Sequence, residues 1–96
     1  MVTLEAIKAK RTELLALAAR RGARNLRVFG SVARGEAGPD SDLDLIVEME
    51  PGRSVLDLLA LISELEDALG TRVHLVEDVA PRDPLLDRVL KLIVPV

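Results

Sequence analysis

Two hydrophobic periods alternate along the chain. From Thr3 to Arg21, Leu4, Ile7, Leu14, Leu15 and Ala18 recur at helical spacing, with Thr3 placed to cap the start and Gly22 to stop the end, so an amphipathic helix is expected there. From Asn25 the period falls to two, with Leu26 and Val28 on one face and Arg27 and Phe29 on the other, which predicts a short strand ending at Gly30. Ser31 to Glu36 can form a brief helical turn, and Gly38, Pro39, Asp40 and Ser41 read as a loop. A second strand follows from Asp42 to Met49. Ser54 with Asp57 three residues later resembles a capping box, and it opens an apolar-rich helix that stops at Gly70. Thr71 to Glu77 reads as a third strand. Asp83 and Pro84 suit the N-cap and first position of a last helix, with Leu85, Leu86, Val89, Leu90 and Ile93 as its apolar stripe and Pro95 as its end.

The elements therefore run αβαβαβα, without an internal repeat or a linker long enough to divide them. An α/β (α+β) fold is expected, with one domain over residues 1–96 and a small mixed β-sheet flanked by helices. The two later helices carry apolar residues around more than one face. Either both are deeply buried, or one meets a partner or a second copy of the chain.

Composition narrows the chemistry. Cysteine is absent, which removes a disulfide framework, a thiol nucleophile and a cysteine-based metal site, and any zinc site would rest on the single histidine, His74, with carboxylates. Phe29 is the one aromatic residue, so binding of nucleic acid on stacked rings is not expected. No apolar run approaches a membrane span and no signal-peptide pattern opens the chain, from which a cytoplasmic protein is expected. The net charge of −3 hides an asymmetry: eight Lys/Arg against two acids up to Gly35, then five against fourteen. This reads either as a solvated basic helix followed by acidic surfaces, or as a basic rim for phosphates beside an acidic, metal-collecting patch.

The second alternative has a location. The stretch "VFGSVARGEAGPDSDLDLIV", Val28 to Val47, joins a Gly-Ser pair at the end of one strand to Asp42 and Asp44 at the start of the next. Alternation alone would place Asp42, Asp44 and Glu48 on the solvated face of an ordinary strand. Two carboxylates at i and i+2, about 7 Å apart along a strand, nevertheless repel and call for a counter-charge. A divalent cation can supply it, because carboxylate oxygens suit Mg²⁺ or Mn²⁺, and Mg²⁺ is usually held by one or two carboxylates with substrate phosphates and water completing its shell. Gly30 lets a phosphate approach the backbone and Ser31 adds a hydroxyl. Arg34 adds a cation that could meet a nucleotide phosphate or a surface carboxylate.

Gly-Ser, ten intervening residues and then Asp-x-Asp, set on consecutive strands, resembles the signature of the DNA polymerase β nucleotidyltransferase superfamily, and within it the minimal nucleotidyltransferase (MNT) group. Length and element order extend the resemblance over nearly the whole chain. It implies that Gly30 and Ser31 hold nucleotide phosphates, with Arg34 beside them, and that Asp42 and Asp44 bind catalytic Mg²⁺ or Mn²⁺. The implied reaction is in-line attack of a hydroxyl on the α-phosphate of a nucleoside triphosphate, ATP first among the candidates, with pyrophosphate leaving. Relatives of this kind carry a third carboxylate on the later strand, where this chain has "VHLV" with His74. An imidazole there could accept a proton, ligate a metal or simply occupy a strand. Glu77 alternates onto the other face.

The resemblance also implies a setting: a toxin–antitoxin pair in which an MNT protein neutralises a HEPN-domain ribonuclease, in some systems by modifying it with AMP. The leading expectation is thus a Mg²⁺-dependent nucleotidyltransferase acting on a hydroxyl of a protein or small molecule. Its alternative is an antitoxin that binds nucleotide or partner without turnover. A basic nucleic-acid module built on Arg20, Arg21, Arg24 and Arg27 is a weaker third reading.

Overall fold

β-Strands expected from the sequence pair into one mixed sheet in the computed structural model, which describes residues 2–79, 84–90 and 92–96. Its elements are α1 (Leu4–Ala9), α2 (Arg11–Arg20), β1 (Ala23–Phe29), α3 (Gly30–Ala33), β2 (Leu43–Met49), α4 (Val55–Leu69), β3 (Val73–Glu77), α5 (Pro84–Val89) and β4 (Val94–Pro95). The strand order is β3-β2-β1-β4. β1 runs antiparallel to β2 and β4, whereas β2 and β3 are parallel because α4 carries the chain back across the sheet between them.

Period-two alternation in β2 decides what faces what. Leu43, Leu45 and Val47 turn to one side with Leu26 and Val28 of β1, and Leu14 and Ala18 of α2 and Leu61 and Leu65 of α4 close over them as the main core. The opposite face carries Asp44 and then a smaller cluster of Phe29, Ile46 and Leu90, with Val76 and Ile93 packed against it. Asp44 therefore sits on a side of the sheet that is only partly covered.

Local chemistry accounts for most boundaries. Thr3 Oγ1 accepts a hydrogen bond from Ala6 N at 3.1 Å, and Ser54 Oγ accepts one from Leu56 N at 3.2 Å, so these two of the expected N-caps form. Asp57 does not complete a reciprocal box around Ser54; its carboxylate lies 3.7 Å from the Arg53 guanidinium. Gly70, at φ +66°, ends α4 in the left-handed conformation that glycine adopts without steric cost. Asn25 also has a positive φ, +55°, where the β1–β2 register shifts between Arg24 and Arg27. It makes a bulge, and asparagine is among the few residues with a side chain that accept this conformation.

Three departures from the sequence pattern stand out. The first helix is broken at Lys10, which has φ −103° and ψ 15° and ends α1 as it starts α2. Its ammonium donates to Ala68 O near the end of α4, a tertiary tie that the apolar spacing does not encode. The last helix does not continue to Pro95: α5 ends at Val89, and Val94 and Pro95 form β4 against Val28 and Arg27. An edge strand tolerates proline, and Val96 N extends the pairing to Leu26 O at 3.1 Å. Asp83, expected as the N-cap of that helix, lies outside the described residues, as do the side chains of Leu86 and Val89. Finally, the apolar excess of α4 is not fully buried, since Val55, Leu56 and Leu59 are exposed. Among the described residues, no helix is long and apolar enough to cross a membrane.

Candidate functional site

Strand register assembles the site around Asp44. In the antiparallel β1–β2 pair Asp44 faces Phe29, the residue directly before Gly30-Ser31, and in the parallel β2–β3 pair it faces His74. A carboxylate in the middle strand thus has the Gly-Ser turn on one side and the imidazole on the other. His74 Nδ1 lies 3.2 Å from Asp44 Oδ1, with the histidine side chain 66% exposed.

Gly30 is needed for this arrangement. It has φ +74°, and a Cβ at that position would come within 2.3 Å of Asp44 Oδ2 and 3.1 Å of its Cγ. The space a side chain would fill is therefore occupied by the carboxylate. One oxygen of Asp44 faces His74 and the other overlies the glycine that opens α3. Ser31 follows directly, half-buried, at the start of the same short helix.

Asp42 lies one residue before β2, where its alternation with Asp44 continues. Its Oδ1 is 3.2 Å from Arg72 Nε, and Leu43 N donates to Arg72 O at 2.9 Å, which fixes that guanidinium's backbone beside the carboxylate. Two parallel acid–base pairs result, Asp42 with Arg72 and Asp44 with His74. Arg72 has no place in the sequence motif; the signal that could have found it is its spacing, two residues before His74 in the same alternating phase. Arg34 closes α3 and pairs with Glu36 at 3.0 Å, both exposed.

Asp42 and Asp44 offer hard oxygen donors, and the cradle over Gly30 holds one of those oxygens beside the Gly-Ser turn. Among the described residues, no group of three or more His, Asp or Glu side chains is placed to hold a metal ion. The donor set therefore fits a divalent cation that arrives with phosphate and water ligands, rather than one caged by protein alone.

Two of the four arginines read as a basic patch are committed elsewhere. Arg27 is 9% exposed, donates to Asn25 O at 2.9 Å through Nε, and pairs with Asp78 at 2.9 Å through Nη2. Arg21 pairs with Glu64 at 2.8 Å across α2 and α4. The Arg21 hydrogen bond holds the Glu64 carboxyl below its ordinary range against a partial opposing effect of burial, and the attraction of Arg21 and Arg20 adds to it. The same bond and charge raise Arg21. Arg20 and Arg24 remain as exposed members of the set, a smaller patch than the sequence suggested.

A mixed sheet with helices about it, and a Gly-Ser turn beside an Asp-x-Asp strand, define the nucleotidyltransferase architecture. Residues 11–94 match the family described as a nucleotidyltransferase domain, and the chain belongs to that family. It is 40% identical over 95 residues to the protein adenylyltransferase MntA of Thermococcus cleftensis, a match that covers 98% of this chain and 96% of that protein. It is similar at a TM-score of 0.82 and 49% identity to a solved structure assigned as a minimal nucleotidyltransferase, covering 99% of this chain and 97% of the other. A further likeness, with a TM-score of 0.65 and 16% identity over 92% of this chain and 69% of the other, is to a chain in the complex of a tri-AMPylated Shewanella oneidensis HEPN toxin with an MNT antitoxin. At that identity the last match speaks for the fold alone.

Proposed function

We propose that this transferase moves AMP from ATP onto a hydroxyl of a partner protein, and that it serves as the MNT antitoxin of a HEPN-type toxin. The observation that carries the reading is the position of Asp44, set by register between the Gly-Ser turn and β3, with its Oδ2 over Gly30. Support for AMP comes from the adenylyltransferase named at 40% identity, and the AMPylated toxin complex adds only that a chain of similar fold occurs in a complex with a HEPN toxin.

Gly30 gives phosphate access to the backbone at the start of α3, and Ser31 donates its hydroxyl to a phosphate oxygen. Asp42 and Asp44 would hold Mg²⁺ or Mn²⁺ through their carboxylate oxygens. When bound, the cation supplies Lewis-acid stabilisation of the charge that develops on the phosphoryl oxygens. The acceptor oxygen bonds to the α-phosphorus as the bond to the bridging oxygen breaks. Pyrophosphate departs with that electron pair, and the hydroxyl proton passes to water.

A second reading, an antitoxin that binds nucleotide or partner without turnover, is favoured by one observation: among the described residues no third ligand joins the two aspartates. One experiment separates the two. With α-labelled ATP, Mg²⁺ and the protein encoded beside this one, label should move onto that protein, and Asp42→Asn or Asp44→Asn should lower the rate by about 10³-fold. Transfer that survives both changes overturns the catalytic assignment. ATP binding with partner inhibition but no movement of label selects the binding reading.

A further inference from the structure

We propose that the outward face of α4 is the docking surface for a partner protein, and that it takes an amphipathic helix rich in lysine or arginine. The inference rests on the protein-partner reading and deepens it, by separating the surface that holds the partner from the site of the chemistry.

Leu56, Leu59, Ser63 and Asp67 follow one another at three- and four-residue steps, which sets them in one row along a helix. All four are exposed, because α4 turns Leu61 and Leu65 to the sheet. Leu56 is 71% and Leu59 55% exposed, and Val55, at 66%, widens the row at its start. Apolar side chains grouped in this way mark an interface more than a free surface. Val55 also lines a cleft of about 260 Å³ with Met49, Pro51 and Leu58, so the row runs on into a recess at its start. A helix of 15 residues is about 22 Å long, enough to carry a partner helix packed along it.

Charge selects the partner. Within Val55–Leu69 there are four acids and no lysine or arginine. Arg21 answers Glu64, and Arg53 is divided between Asp57 and Glu50, which stands on the wall of the cleft. Asp67 at the far end of the row and Glu77 in the cleft add exposed carboxylates, so the excess is negative even with Lys10 held at Ala68 O. A second copy joined through the same face would set this excess against itself. A copy offering its basic N-terminal helices instead would join head to tail without closing. A helix with apolar residues at matching spacing, flanked by Lys or Arg, fits both parts of the surface. Its apolar row lies on Leu56 and Leu59, and its cations meet Asp67 and the acids of the cleft.

α4 covers the face of β2 that carries Leu43, Leu45 and Val47, whereas Asp44 lies on the other. A partner held on α4 therefore leaves the aspartates and the Gly-Ser turn uncovered.

The test titrates the protein encoded beside this one into the full chain by calorimetry. The wild type should bind it, and Leu56→Gln combined with Leu59→Gln should weaken binding about 100-fold. Asp67→Lys should weaken it about threefold to tenfold, by an amount that shrinks as salt is added. Because these side chains are exposed, the urea midpoint and the ATP affinity should hold in every variant. The methyl resonances of Leu56 and Leu59 should shift when the complex forms. Methyls that stay in place, tighter binding by Asp67→Lys, or sedimentation of the free chain as a dimer that the leucine changes dissolve overturns the proposal. If the wild type and the leucine variant bind alike, the docking surface is wrong and the partner reading stands; no binding by the wild type overturns both.

Discussion

The two faces of β2 show how one strand can serve folding and chemistry without mixing them. Leu43, Leu45 and Val47 are almost fully buried under α2 and α4, and any apolar residues of similar volume could have filled that space. On the other face Asp44 is followed by Ile46, buried against Phe29 and Leu90, and only then by Glu48. That face is apolar where the sheet needs covering and charged where β2 begins. The side-chain period of two keeps the faces apart, because a slip of one residue would exchange them entirely. Changes on the core face should therefore alter stability and leave the site's chemistry intact, and changes at the start of the other face should do the reverse.

The largest effect belongs to the core face. Leu45→Ala removes a side chain that is 1% exposed in the middle of the main cluster, and should cost about 2–5 kcal/mol in urea unfolding. ATP binding by the fraction still folded should be unchanged. A loss of nucleotide affinity in that folded fraction would show that the two faces are coupled.

Gly30→Ala attacks the boundary between them. A β-carbon at φ +74° costs about 1–2 kcal/mol, and it would also meet Asp44 Oδ2 at 2.3 Å, so the carboxylate must turn away from its cradle. The expected result is a modest fall in the unfolding midpoint, with a loss of transfer approaching that of Asp44→Asn. Gly35→Ala is the control, since it has a similar φ of +72° and nothing within 4 Å of the added carbon. It should show the stability cost alone.

What could be read from the sequence follows the same division. Leu26, Val28, Leu43, Leu45 and Val47 announced their face by alternation, and Asp42, Asp44, Gly30 and Ser31 announced a motif; the structure sets Asp44 against Gly30 where the β1–β2 pairing ends. Features that depend on distant contacts were not visible. The break at Lys10 is tied to Ala68, 58 residues away. Val94 and Pro95 extend an apolar helical stripe in sequence, but the free edge of β1 takes them as a strand. Arg27 read as one arginine among several, and the structure buries it with Asp78 at a distance of 51 residues. Arg72 meets Asp42 only because the parallel pairing of β2 with β3 brings the starts of the two strands together. Local periodicity carries no information about which charges will meet.

The smallest expected effect tests the core side at its rim, where Arg21 joins α2 to Glu64 of α4. The bond from Arg21 lowers the folded-state pKa of Glu64 below its ordinary value, while Arg21 itself stays charged throughout. A carboxyl with a depressed folded pKa stabilises the fold fully above its unfolded pKa, and that stabilisation disappears as the pH falls through the folded value. Glu64→Gln should therefore lower the urea midpoint at about pH 7, and the gap from the wild type should close toward about pH 3, below the ordinary carboxylate range. Because both side chains are substantially solvated, added salt should shrink the gap at neutral pH as well. Transfer activity should not change, because the pair spans the two helices over the core face and touches none of Gly30, Ser31, Asp42 or Asp44. A gap that stays constant from neutral to acid pH would mean that Glu64 acts by packing against Arg21 rather than through its charge.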